Sequence, residues 1–501
     1  MKQTANNGLH YDLNFISEGN TWKPKEDSTR LEGYEFARVQ FELTEEDAAR
    51  MLLPAGLLDL RDYSDFCSFT RLLSYPRLLT LKTVDMIMGQ PPLITAKGQD
   101  EQSEKIKTIR AACQLNSALK QAFIDYSRFG VFLIRTFKDE KGKPCVVAWN
   151  PEEWTPVFYP DGTNRIHYNV IAWRHDSELT FQIHDTSDGS YEQRVCQIDD
   201  DDKIVKILKS TKHNRTSGKR LLYAVTNTPT TTNPLGTGDY AIINGLLQKA
   251  IERLTAILRV LDEHADPSMT GPHSLLEKDD KGNVVFKSGK YYAIGGEEKE
   301  PKYLVWDANL DSSFKAFDEL CKQIFILSEM GEAFLGASGG TGNVVSGTAM
   351  RFKMISPLEK ARRITNDLTE TVKEIISAIM MMAKITIDAS DISITWRDSL
   401  PKDPREVAEL ARLEAGAPAI KPLIHAIMDN YDMDKETATH YAEKIKADLE
   451  ALAAAQAKPT QDMSKGEDGR SHGATGSIDV RKKGSSMDPA SSENRGEDTG
   501  K

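Results

Sequence analysis

The stretch most open to a chemical reading is GASGGTGNVVSG, Gly336–Gly347, in which five of twelve residues are glycine. Glycine-rich loops cradle phosphates when their backbone N–H groups converge where a strand passes into a helix. This stretch lacks the Gly-Lys-Ser/Thr ending of a P-loop, and it follows a segment of helical period rather than a strand. GTGNVV also lacks the last glycine of a dinucleotide fingerprint. The composition predicts a mobile loop instead, because glycine resists being held in one conformation. Arg351, Lys353, Lys360, Arg362 and Arg363 follow it, against one acid, Glu359. The plain reading of this run is a solvated helix face or salt bridges between subunits; the sharper one is contact with a phosphate backbone.

No other grouping calls for chemistry. HExxH does not occur, and neither GxSxG nor paired carboxylates occur in a recognisable context. His264, beside Glu263 and Asp266, reads as a charge partner at a helix C-terminus. His273, His425 and His440 are isolated. The five cysteines, Cys67, Cys113, Cys145, Cys196 and Cys321, have no CxxC spacing and suggest neither a zinc site nor a disulfide framework. A reducing, intracellular compartment fits. No catalytic residue, cofactor or metal ligand is assigned, and the expectation is that the chain is not an enzyme. A net charge of −11 argues against a protein that coats nucleic acid, since such proteins carry excess Lys and Arg. No apolar run is long enough to span a bilayer; IISAIMMMA, Ile375–Ala383, is bounded by Glu374 and Lys384.

The elements that must position the loop are two helices. Asp311 onward carries Phe314, Phe317, Leu320, Ile324, Leu327 and Phe334 at a 3.6-residue period. A second helix is expected from Gly347, capped by Ser346, to about Ala383, with a kink at Pro357. Upstream, Asp239 is expected to cap a long helix ending before Pro267. The two long helices bracket an insert of about 45 residues, Asp266–Leu310, with hairpin character in NVVFKSGKYYAIGG. Before them, residues 1–30 read as polar and loosely held. Helical patterns run from Glu46 to Met88 and from about Gln102 to Ser127. VFLIRT, CVVAWN, WTPVFY, IHYNVIAW and LTFQIH then predict an antiparallel meander. A short strand, Asp391–Asp398, precedes small helices, and composition beyond Lys458 predicts disorder. The fold class is α+β, mainly helical.

The order of these parts resembles the portal (head–tail connector) proteins of tailed double-stranded DNA bacteriophages, of the long-tailed type, from about residue 30 to 455. The resemblance is carried by VDMIMGQPP, by AFIDYSRFGVFLIRTFKDEKGKP with WNPEEWTPVFYPDG, and by NPLGTGDY leading to ADPSMTG. SGTAMRFKMISPLEKARR and ITWRDSLPKDPREVAELARL are its most specific stretches. It implies a portal fold in a ring, usually of twelve subunits. Residues 31–238 then match the wing, 239–265 and 311–335 the stem helices, and 266–310 the clip. Residues 336–347 match the tunnel loop, 348–397 the kinked wing helix and strand, and 398–455 the crown; 456–501 is a hydrophilic tail without a counterpart. The implied function is a structural channel at one capsid vertex for DNA packaging and ejection. The implied partners are further copies of the chain, double-stranded DNA held without sequence preference, terminase, a head-completion or adaptor protein, scaffold and the major capsid protein, with no membrane. The place is the virion, after assembly in the host cytoplasm. Thr341, Gly342, Asn343, Val344 and Val345 are the residues expected to line the channel, and Arg351 and Lys353 the candidates for phosphate contact. The alternative, from another class, is an intracellular enzyme binding a phosphorylated ligand at the glycine-rich loop.

Overall fold

The computed structural model describes residues 8–42, 74–98, 100–213, 219–265, 269–272, 277–278, 284–285, 291–294, 302–303, 311–331, 354–397, 413–414, 422–431 and 435–456. The chain divides into two compact units, Met1–Asp403 and Pro404–Lys501.

In the first unit, helices α1 (Ser28–Glu42), α2 (Tyr75–Met88), α3 (Asp100–Ala112) and α4 (Leu115–Phe129) precede the main β region. One helix was expected over 102–127. The structure breaks it at Gln114, whose φ of 53° is left-handed and ends α3 before α4 begins. Strands β1 (Leu93–Ala96), β2 (Val131–Lys138) and β3 (Pro144–Ala148) lie among these helices and after them. The hairpin of β2 and β3 forms as expected, and β9 (Leu222–Thr226) adds to the other side of β2. Val131–Ile134 is a continuous apolar run and buries both faces. Phe132 and Ile134 pack on α4, through Leu119, Phe123 and Tyr126, and on helix α7 (Ile355–Met382), through Leu368, Val372 and Ile375. Val131 and Leu133 face the opposite way, against Trp154, Ile171 and Leu222.

The expected meander is present and longer than its sequence signal. β4 (Trp154–Phe158), β5 (Ile166–His175), β6 (Glu178–Asp185), β7 (Tyr191–Ile198) and β8 (Ile204–His213) form one antiparallel sheet in chain order. The expectation of a loosely held 1–30 fails from Gly8 onward. Phe15, Ile16 and Trp22 are buried on the Val157, Val170 and Phe181 face of this sheet. Asp27 is also buried, held by His10 at 3.2 Å, Arg30 at 2.9 Å and Thr155 at 3.1 Å. Burial raises its carboxyl, but the His10 hydrogen bond and Arg30 charge outweigh that and hold it below the usual range.

Helix α5 (Asn244–Ala265) starts five residues after Asp239, so Asp239 is not its cap. The insert contains β10 (Met269–Pro272), β11 (Glu277–Lys278), β12 (Val284–Val285), β13 (Tyr291–Ile294) and β14 (Lys302–Tyr303). β11 and β12 pair around 279–283, but β13 pairs parallel with β10 instead of closing a second hairpin. Helix α6 (Asp311–Leu327) follows and packs on α5. Pro357 lies in the first turn of α7, where its missing N–H costs nothing. Residues 347–353, on the N-terminal side of the expected kink, lie outside the described residues. β15 (Ile392–Thr395) returns to pair antiparallel with β1, a partner the pattern did not foretell.

In the second unit, α8 (Leu423–Tyr431) packs on α9 (Lys435–Gln456) around Ile427, Ala438 and Ala442. Among the described residues no helix is long and apolar enough to cross a membrane.

Candidate functional site: the base of the glycine-rich segment

Thr341, Gly342, Asn343, Val344, Val345, Arg351 and Lys353 lie outside the described residues. The structure describes both chain ends that carry them, and these ends meet. After α6 the chain turns at Glu329, whose φ is 61°, and the Met330 N–H donates to Phe325 O at 3.1 Å. α7 begins beside this turn. The Ser356 hydroxyl donates to Glu329 O at 3.2 Å, and the Arg363 guanidinium binds the Glu329 carboxylate at 2.9 Å. That hydrogen bond raises the Arg363 pKa further above its ordinary value. Segment 332–353 therefore leaves and returns at one place.

Lys360 holds that place to the rest of the unit. It is 3% exposed. Its Nζ donates to Ser328 O at 3.1 Å and pairs with Asp239 Oδ2 at 2.9 Å. Asp239 accepts in addition from Ser127 Oγ at 2.8 Å and from Asn227 Nδ2 at 3.2 Å, and its own N–H donates to Ser127 O at 2.7 Å. Ser127 continues to Thr80 Oγ1 at 3.1 Å, and Thr80 to the Tyr240 hydroxyl at 2.5 Å. Burial pushes the Tyr240 phenol above its ordinary range. One chain of polar groups, buried except for the 12% exposed Asp239 side chain, thus joins α2, α4, the connector between β9 and α5 (residues 227–243), α6 and α7. A buried charge is tolerable only when paired and hydrogen-bonded, and Lys360 and Asp239 meet both conditions.

The connector reaches this position through its glycines. Gly236 has a φ of +69°, and a Cβ there would stand 2.3 Å from Asn227 O. A Cβ on Gly238 would stand 2.3 Å from Arg128 O. The Gly-Thr-Gly of NPLGTGDY is therefore what lets the backbone run against Asn227 and Arg128 and deliver Asp239 to Lys360.

Of the basic run, the three described residues all have acidic partners in the chain: Lys360 with Asp239, Arg362 with Glu359 at 2.6 Å, and Arg363 with Glu329. The sequence pattern leaves Lys360 to a solvated face, a salt bridge between subunits or a phosphate contact, and Asp239 to a helix cap; the structure instead pairs the two within the chain. One signal was available. Pro357, Lys360, Ile364 and Leu368 share the buried stripe of α7, and a lysine on such a stripe requires an acid from elsewhere.

Residues 295–451 match the sequence model of the family described as phage portal protein, SPP1 Gp6-like. No curated protein matches the chain. Among solved structures the chain is similar to the neck of an empty GTA particle computed with C6 symmetry. That likeness has 10% identity and a TM-score of 0.43 and covers 70% of this chain and 90% of that one. It is similar also to the neck of the native GTA particle computed with C12 symmetry, at 11% identity and a TM-score of 0.42, over 75% of this chain and 94% of that one. For the virion of the native gene transfer agent particle the values are 11%, 0.41, 81% and 93%. Likeness at this level carries no functional argument. The resemblance to portal proteins read from the sequence is thus met by a portal-family match of its own, from the end of the insert through α6, the glycine-rich segment, α7 and β15 into α9.

Proposed function

We propose that this chain is the subunit of a phage portal, a structural ring at one capsid vertex that conducts DNA during packaging and ejection. The observation that carries the reading is the closed base of segment 332–353. The segment is set between two long helices, lies within the portal-family match, and follows a helix–insert–helix unit. In this reading α5 and α6 are the stem, the insert is the clip that meets terminase and later the adaptor protein, and the α8–α9 unit is the crown. Thr341–Val345 reach the DNA where the channel is narrowest, with Arg351 and Lys353 as transient phosphate contacts. The ring has about twelve copies, by the family resemblance. It assembles in the host cytoplasm with scaffold and major capsid protein and ends in the virion.

Charge supports this assignment. A conduit must guide a polyanion without holding it, and a chain of net charge −11 supplies repulsion. Portal-family proteins are structural rather than enzymatic, and no observation favours an enzyme that binds a phosphorylated ligand at the glycine-rich segment. Deletion of Thr341–Val345 tests the role of the loop. Rings are expected to form as before while DNA packaging or retention falls. Failure of the rings themselves would make the segment architectural.

A further inference from the structure

Lys360 raises a question of economy. Its neighbours on the buried stripe of α7 are apolar, and replacing a buried ion pair by apolar side chains of similar volume is often neutral or stabilising. Stability alone therefore gives little reason for a lysine here. A directional partner does what an apolar contact cannot: it fixes one geometry among several that would pack equally well. The ammonium touches three separate parts of the chain. It extends from the second turn of α7, binds the carbonyl of Ser328 at the end of α6, and binds Asp239 of the connector. Ser356 and Arg363 also tie α7 to the end of α6, through Glu329, but those bonds join only the two chain ends to each other. Among these three ties, the Lys360 bond alone reaches the connector. Through Asp239 and Ser127 it continues to α4, beneath β2.

We propose that Lys360 is a positioning residue that fixes where the two ends of segment 332–353 stand relative to the α4–connector wall. In this role Asp239 is its anchor and Ser328 O its reach to α6. Its consequence for DNA rests on the portal reading above; its consequence for the chain ends does not.

The test is a pair of full-length variants. Lys360→Met alone leaves the largely buried Asp239 carboxylate without its counter-charge. Asp239→Asn with Lys360→Met removes both charges while keeping an amide that can bond Ser127 and Asn227. The double variant is expected to melt close to the wild-type temperature. Its backbone hydrogen exchange over 325–331 and 354–360 should nonetheless be faster by about tenfold or more, with strands β5 and β6 unchanged. In particles it should form rings but retain less DNA. Wild-type exchange at both chain ends in the double variant would overturn the proposal, as would faster exchange spread evenly through the first unit. Wild-type protein that forms no ring would count against the portal reading, while the exchange result would still decide the role of Lys360.

Discussion

Two buried regions of the first unit are built on opposite principles. Around Val131–Ile134 of β2 the packing is apolar: Phe132 and Ile134 on one face meet α4 and α7, and Val131 and Leu133 on the other meet Trp154 and Leu222. At the base of segment 332–353 the buried contacts are charged and hydroxylic: Lys360, Asp239, Ser127, Thr80 and Tyr240. The first arrangement is tolerant, because any side chain of about the right volume and shape fills it. The second is specific, because each group must find one partner in one direction. The tolerant region supports the fold; in the portal reading, the specific one stands where a chain segment has to be presented at a defined place.

That contrast can be broken or sharpened by substitution. The largest effect is expected for Lys360→Met, which strands the Asp239 carboxylate and should cost about 3–5 kcal/mol in denaturant unfolding. Adding Asp239→Asn should recover most of that loss, a coupling that no pair of substitutions in the apolar core should match. Phe132→Ala should cost about 3–4 kcal/mol, as a cavity that its neighbours only partly close. Combined with Lys360→Met it should be close to additive if the two regions are independent. Gly236→Ala forces a side chain into a left-handed backbone and against Asn227 O, and should cost about 2 kcal/mol or more. A wild-type melting temperature for that variant would show that the connector can move aside.

A pH experiment gives a smaller effect. Burial pushes the Asp125 carboxyl up to about 6 from 3.8, against the lowering effect of Arg128 at 2.9 Å. The folded state then holds that proton more tightly than the unfolded chain does. Stability from this group is full below about pH 4 and declines as pH rises towards 6. Asp125→Asn should flatten that decline in melting temperatures taken between pH 4 and 7. Asp27, whose carboxyl is lowered, acts in the opposite sense and only as pH falls below its ordinary carboxylate range. The smallest effect is expected for Arg362→Ala, which removes an exposed pair with Glu359 and should change stability by about 0.5 kcal/mol or less.

What the sequence disclosed follows the same division. The β2–β3 hairpin, the meander, the long helices and the helix–insert–helix order were legible because each rests on local periodicity and turn chemistry. Phe15, Ile16 and Trp22 follow no period, and their burial depends on a sheet that begins far along the chain. The pairing of β1 with β15, and of Asp239 with Lys360, likewise joins residues remote in sequence, for which periodicity has no signal. The break at Gln114 lies inside an apolar pattern that reads equally well as one helix. In the sequence, the glycines of NPLGTGDY carry only the resemblance to portal proteins; their physical purpose, close backbone approach to Asn227 and Arg128, is visible only in the structure.

Electron microscopy of the purified full-length protein tests the central claim most directly. The portal reading predicts closed rings of about twelve copies with a central hole. A uniform monomer that binds nucleotide, or assemblies without a hole, would contradict it.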